Sequence, residues 1–416
     1  MATFRLVGAL SRLGWRCHVV SATRAPGRAQ YARIEEPGVT RVVNNLPWRP
    51  LADAEEDRAV AALLATVEAR IQPDLVHVQH LAFLTSSPRF RAPVIGTLHD
   101  AWAWCPAGGT LLRNGRAPCP GPEPEACLPC YARIAQRTGP GERALVALAG
   151  CLARVVEPDR LHEAWRALPP GVRALGTALP GPRPPLASPQ DLARRNASFQ
   201  HTWSSMALRV APSRYYAGLA EAARLGPTRV LPQGVDPTGP WEGAEGPLVF
   251  LGTLAPHKGA HLVVEAFRRA FPERARAGEG LLVHGPVVDP AYARSLRWPL
   301  AGPLAPDEVP PLLRRARALV LGSIWPENAP LVLSEARACG CPVVAPAIGG
   351  IPEVVEDGRD GWLYPAGERE ALAGALRRVV HDAPLLPRPP PTLEAHAAAV
   401  ISLYEEVLFA AGRRGG

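Results

Sequence analysis

The stretch PLVFLGTLAPHKGAHLVVEAF, residues 247–267, decides the fold. Its apolar run between Pro247 and Gly252 has the length and make-up of a buried strand, and HLVVEAF from His261 has helical periodicity. A short turn carrying Lys258 and Gly259 joins them. Strand, turn and helix in that order put a cation and the free amides of a helix start at the carboxyl edge of a sheet, where α/β folds bind ligands. The unit recurs downstream. GLLVHGP (280–286), LVLGS (319–323), PVVAP (342–346) and GWLYPA (361–366) are apolar runs bounded by Gly and Pro; DEVPPLLRRARA (307–318), PLVLSEARACG (330–340) and EREALAGALRRVVHD (368–382) are amphipathic. Such alternation predicts parallel strands in βα repeats, an α/β class with a doubly wound sheet.

The first half repeats the pattern less cleanly. Strands are expected in RCHVVSA (16–22), DLVHVQ (74–79), PVIGTLHD (93–100), LRVAPS (208–213) and RVLPQGV (229–235), and helices over 53–71, 142–156 and 213–224. Residues 233–246, rich in Pro, Gly and acids, read as an exposed connection. Two Rossmann-like domains facing each other across a cleft are therefore expected, over 1–235 and 236–391. The proline-rich stretch 169–190 reads as an irregular insertion. A second rigid crossing at 384–391 leads to a terminal helix within 392–416, expected to pack back on the first domain.

The 416 residues suit two or three domains, and 47% hydrophobic with 20% charged residues excludes a disordered chain. No apolar run approaches the ~18 residues of a membrane span. Arg5, Arg12 and Arg16 break up the first twenty residues, so no signal peptide is read there. These features point to a cytoplasmic protein, and the basic charge is compatible with a peripheral membrane contact. The net charge of +8 favours anionic partners. The arginines are scattered without a basic run or aromatic stripe, which argues against nucleic acid. Among 46 basic residues, Lys258 is the one lysine. On spacing alone it is a surface lysine on a turn; its survival in an arginine-rich chain favours function, because a compact ammonium and a planar guanidinium are not interchangeable.

In SIWPENAPLVLSEARACG (323–340), Glu327 precedes an expected helix with Pro330 in its first turn, and Glu335 lies within it. Free amides at Leu331 and Val332 would offer an anion site, and Glu335 could reach a pair of hydroxyls. Two glutamates eight apart are common; the order strand, loop, proline-started helix, strand is the stronger signal. His99, followed by Asp100 at the end of a strand, is either a satisfied core histidine or a site residue. Cys105, Cys119, Cys127 and Cys130 are spaced C-x13-C-x7-C-x2-C. Such a set can hold structural Zn or, less often, an iron–sulfur cluster, or it can be free thiols in a proline-rich loop.

The run 250–365 resembles the nucleotide-sugar domain of the family-four retaining glycosyltransferases, two-domain enzymes of the GT-B fold. The matching motifs are G-x-L-x-P-x-K-G at 252–259, Glu327-x7-Glu335 and GGIPEVVEDGRDGWLY at 349–364, with weaker matches in PDLVHVQ, TLHD, VAPS and QGVD. The resemblance implies a nucleotide diphosphate sugar as donor, held by Gly252, Thr253, Lys258, Asn328, Leu331, Val332 and Glu335. Within that set Lys258 faces the diphosphate and Glu335 the ribose, while Glu327 and His99 act on the transferred sugar. It further implies a carbohydrate or lipid-linked acceptor. No Asp-x-Asp pair is present, which fits catalysis without a required cofactor. Two departures stand out. Thr253 occupies a position where members of the family carry an arginine, so Arg214 or another residue would have to replace that charge. The chain also opens on what resembles the family's first helix, without the preceding strand and glycine loop; either these lie upstream, or the protein is a non-catalytic nucleotide-sugar binder.

Overall fold

The computed structural model describes residues 2–25, 28–29, 31–44, 57–81, 84–85, 87–113, 117–119, 121–135 and 187–412. The helix expected over 142–156 and the stretch 169–186 lie outside these residues. The first half runs α1 (Ala2–Arg12), β1 (Val19–Thr23), β2 (Arg33–Glu36), β3 (Val39–Val43), α2 (Arg58–Ile71), β4 (Val76–Val78) and β5 (Val94–Thr97). It continues with β6 (Leu112–Arg113), β7 (Ala117–Pro118), α3 (Pro124–Ala135), α4 (Pro189–Ser204), β8 (Leu208–Ala211), α5 (Arg214–Ala222) and β9 (Thr228–Val230). Strands β4, β5, β8 and β9 form one parallel sheet in that order. A separate sheet has the order β1-β3-β2, with β1 and β3 parallel and β2 antiparallel. Among the described residues β1 and β4 each pair on one side only.

The second half contains β10 (Leu248–Leu251), α6 (Ala260–Ala270), α7 (Pro272–Ala277), β11 (Leu281–His284), α8 (Pro290–Ser295), α9 (Val309–Arg315) and β12 (Ala318–Val320). Then come α10 (Leu331–Ala338), β13 (Val343–Pro346), α11 (Ile351–Val354), β14 (Gly361–Tyr364) and α12 (Arg369–His381). Its five strands are all parallel, in the order β11-β10-β12-β13-β14. The two faces of this sheet carry different helices because side chains alternate along a strand. Leu248 and Phe250 of β10 pack with α6 and α12, whereas Val249 packs with α9 and α10. The strand order reverses between β10 and β12, and at such a switch point the loops leaving the two strands diverge to opposite faces and open a crevice. The loops after β10 and β12 carry Lys258 and Glu327.

The two crossings between the halves run together: the Val235 N–H donates to the Pro391 carbonyl and the Leu393 N–H to Asp236 Oδ1. After them, α13 (Leu393–Ala410), capped by Thr392, lies on the first half. Its Ala397, Val400 and Tyr404 share a core with Leu6 and Leu10 of α1 and Ile95 and Val210 of the sheet.

Candidate active site

The β10 loop turns through Pro256–Lys258 into α6, and Gly259 there has φ +70. A Cβ on Gly259 would fall 1.7 Å from the Gly322 carbonyl oxygen, so both glycines let the two switch-point loops touch. The Ile324 N–H then donates to the His257 carbonyl at 3.0 Å. This closeness brings the side chains together. Lys258 Nζ, Ser323 Oγ and Trp325 Nε1 each donate to Glu327 Oε1 at 2.7 Å. The ammonium also sits 4.6 Å from the centre of the Trp325 ring, a cation–π contact. Glu327 is buried and Lys258 partly exposed. Glu327 Oε2 receives none of the three bonds and remains able to accept another.

Beside this cluster α10 begins at Leu331 after Pro330. The amides of its first turn have no side-chain cap, and Leu331 lines the pocket between the halves. One turn on, buried Glu335 accepts from Arg5 of α1 at 2.9 Å. Burial raises the Glu335 pKa and the Arg5 guanidinium partly offsets it. Gly252 and Thr253 stand half-buried at the carboxyl end of β10, where the Gly252 N–H donates to the His284 carbonyl. The Arg214 side chain is exposed and lies 3.5 Å from Glu353.

The facing wall belongs to the first half. His99, just beyond β5, lines with Arg5, Gln79, Gln233 and Leu331 a pocket open to the cleft. Its Nε2 lies 2.6 Å from Gln79 Oε1, which makes that nitrogen the donor. The Gln79 amide bonds His77 Nε2 and His77 Nδ1 bonds the Tyr404 hydroxyl, extending the chain of bonds to α13. Burial, more than neighbouring His80, pushes the His99 pKa down to about 4; burial likewise lowers His77 to about 3. Both are neutral at pH 7. An unfolded histidine takes up its proton near 6.5, so the folded chain's advantage is full above that pH and is lost as pH falls toward about 4. Thermal melts from pH 7 to 4 are expected to lose on the order of 3 kcal/mol for each of the two histidines; a flat Tm over this range would contradict the buried, neutral assignment.

The Asn328 carboxamide reaches across the cleft: Nδ2 donates to the Leu98 and His99 carbonyls at 2.9 and 3.1 Å, and Oδ1 accepts from Ser213 at 2.6 Å. The Tyr216 hydroxyl donates to the Pro326 carbonyl, and Glu353 accepts from the Arg214 and Tyr215 amides at the start of α5. The Gly349–Gly350 turn is packed onto the Glu327–Asn328 backbone, where a Cβ at either glycine would come within 2.2 Å of a carbonyl oxygen. The first half thus clamps the Glu327 loop from behind. Asn328→Ala strands the Ser213 hydroxyl and two buried carbonyls, a loss of about 2–3 kcal/mol measurable by urea unfolding. An unchanged midpoint would contradict this contact.

A model of "Glycosyltransferase Family 4" matches residues 2–125, and one of "Glycosyl transferases group 1" matches residues 246–382. The chain belongs to glycosyltransferase family 4. It is 27% identical over 375 residues to the D-inositol 3-phosphate glycosyltransferase of Acidothermus cellulolyticus, covering 83% of this chain and 69% of that one. Other relatives align over about a third of their own length. The fold is that of GT-B glycosyltransferases. Sucrose-phosphate synthase of Thermosynechococcus elongatus superposes with a TM-score of 0.61 at 18% identity, covering 98% and 93% of the two chains. Anabaena HepE, solved with UDP and glucose, gives 0.52 at 17% identity over the same shares. Among the described residues of this family 4 chain, no helix is long and apolar enough to cross a membrane. Sequence reasoning passed over Trp325, Ser323 and Arg5. Trp325, a tryptophan beside a proline at the sheet's carboxyl edge, was the available signal; Arg5 had none, because its partner is 330 residues away.

Proposed function

We propose that the chain transfers a sugar, with retention of anomeric configuration, from a nucleotide diphosphate sugar to an acceptor hydroxyl. The carrying observation is the meeting of Lys258 and Glu327 beside the start of α10 at the switch point of the sheet. Retaining transfer builds positive charge on the anomeric carbon and negative charge on the departing diphosphate. Lys258 and the amides of Leu331 and Val332 form a cationic cradle for that diphosphate. Glu327, with Oε1 fixed by three donors, keeps Oε2 for a sugar hydroxyl, so the sugar is oriented by a carboxylate that cannot drift. Neutral His99 faces it from the other wall as a hydrogen-bond partner. Glu335 takes the ribose hydroxyls in exchange for Arg5, whose guanidinium then lies one helical turn from the diphosphate amides and supplies the charge that Thr253 lacks. The complex of the similar Anabaena protein with UDP and glucose supports this reading.

A thermal-shift panel of nucleotide diphosphate sugars tests it. A true donor present at 100 times its Kd stabilises the chain by about 2.7 kcal/mol. The reading fails if no member of the panel raises Tm, or if the shift survives Lys258→Ala undiminished. A shift with no turnover would instead identify a nucleotide-sugar binder.

A further inference from the structure

We propose that Gln79 is a positioning residue for sugar transfer: its carboxamide fixes His99 with the proton on Nε2, so that Nδ1 is offered as a hydrogen-bond acceptor to a hydroxyl of the transferred sugar. The inference rests on the reading of His99 as a partner of that sugar. Gln79 follows β4 and His99 follows β5, neighbouring parallel strands, so both side chains leave the carboxyl edge of one sheet. The two ends of the Gln79 carboxamide meet two different histidines. Oε1 lies 2.6 Å from His99 Nε2, and the amide nitrogen lies 3.0 Å from His77 Nε2.

An amide oxygen only accepts and an amide nitrogen only donates. His99 Nε2 therefore carries a proton, and His77 Nε2 carries a lone pair. Burial keeps both rings neutral, so each has a single proton to place. One side chain thus holds the two histidines in opposite tautomers: His99 has a bare Nδ1, and His77 has its N–H at Nδ1. That N–H donates to the Tyr404 hydroxyl at 2.6 Å, while the Thr97 hydroxyl donates to His77 Nε2 at 2.7 Å. Tyr404 on α13 and Thr97 on β5 brace His77, and His77 in turn holds the amide end of Gln79.

A second carboxamide agrees with this assignment. Gln233 presents its amide nitrogen to His99 Nδ1, and reversing Gln79 would set two N–H groups against each other there. The Gln233 contact is long, 3.4 Å, beyond the usual span of about 2.7–3.2 Å, so Nδ1 keeps its capacity to accept from a closer donor. His99 and Gln233 line the pocket together with Leu331 of the second half. The His99 main chain is held separately, its carbonyl accepting from Asn328. Ring and backbone therefore have independent anchors, one in each half. Cys105, Cys119, Cys127 and Cys130, farther along the chain, line a different, small pocket, and among the described residues no three of them stand where they could hold a metal ion.

Two-bond nitrogen–proton NMR correlations of the full chain, labelled at histidine and free of substrate, read the tautomers independently of sugar transfer. The proposal predicts Nε2–H for His99 and Nδ1–H for His77, each ring assigned by the loss of its signals in His99→Gln or His77→Gln. Gln79→Leu should leave His99 in a mixture of tautomers and lower kcat at least about tenfold, with the donor's KM changed by less than about threefold, the worth of one hydrogen bond. Gln79→Glu keeps the acceptor toward His99; at about pH 8, where the imidazole stays neutral, it should recover most of that kcat while turning His77 to its Nε2–H form. His99 found as the Nδ1–H tautomer in the unmutated chain, an unchanged kcat in Gln79→Leu, or equal losses in the Leu and Glu variants would overturn it.

Discussion

Lys258→Ala is expected to lower kcat/KM for sugar transfer about 10²–10³-fold, the scale of removing one preorganised donor from developing negative charge. Lys258 is placed for that role by three features together: the turn after β10, the Gly259–Gly322 contact that brings the loops together, and the Trp325 face beneath its ammonium. Lys258→Arg should recover little. A planar fork cannot hold the 2.7 Å bond to Glu327 while keeping its place over the ring. Both variants should raise the donor's KM as well as lower kcat, because the diphosphate is bound in the ground state too. Full activity in Lys258→Ala would refute the assignment of the diphosphate to this turn.

Glu327→Gln is expected to cost at least about 10²-fold, mostly in kcat. The amide preserves size but puts an NH₂ donor where a sugar hydroxyl needs an acceptor, and it removes the charge that fixes Lys258. Glu327→Ala is a poorer probe. It strands the Ser323 hydroxyl, the Trp325 N–H and a partly buried ammonium, so stability falls with activity. Unfolding curves on the Gln variant separate the two effects: a near-normal midpoint with lost turnover supports a catalytic role, whereas parallel losses point to a structural one.

How much of this was readable in the sequence varies with the range of the interaction. The βα repeat around Lys258 was readable because apolar runs, glycines and helix starts are local signals, and the loops of Lys258 and Glu327 adjoin once the strand order reverses between β10 and β12. The hairpin of β2 and β3 was missed although Pro37–Gly38, with Gly38 at φ +71, marks its turn. Helix α4 was likewise missed: the stretch read as irregular ran to residue 190, over the Ser188–Asp191 capping box and Pro189 that start the helix. In the site, spacing placed Asn328 next to Glu327, but only the packed halves show that its carboxamide reaches back to Leu98, His99 and Ser213. The Arg5–Glu335 pair was beyond any local pattern for the same reason.

The most direct test of the central claim is the anomeric configuration of the sugar first released or transferred from an α-linked nucleotide diphosphate sugar, followed by NMR during the initial turnover. Retaining transfer at the Lys258–Glu327 cleft predicts an α product. A β product, or bound donor that stays intact in the presence of acceptor, would contradict it.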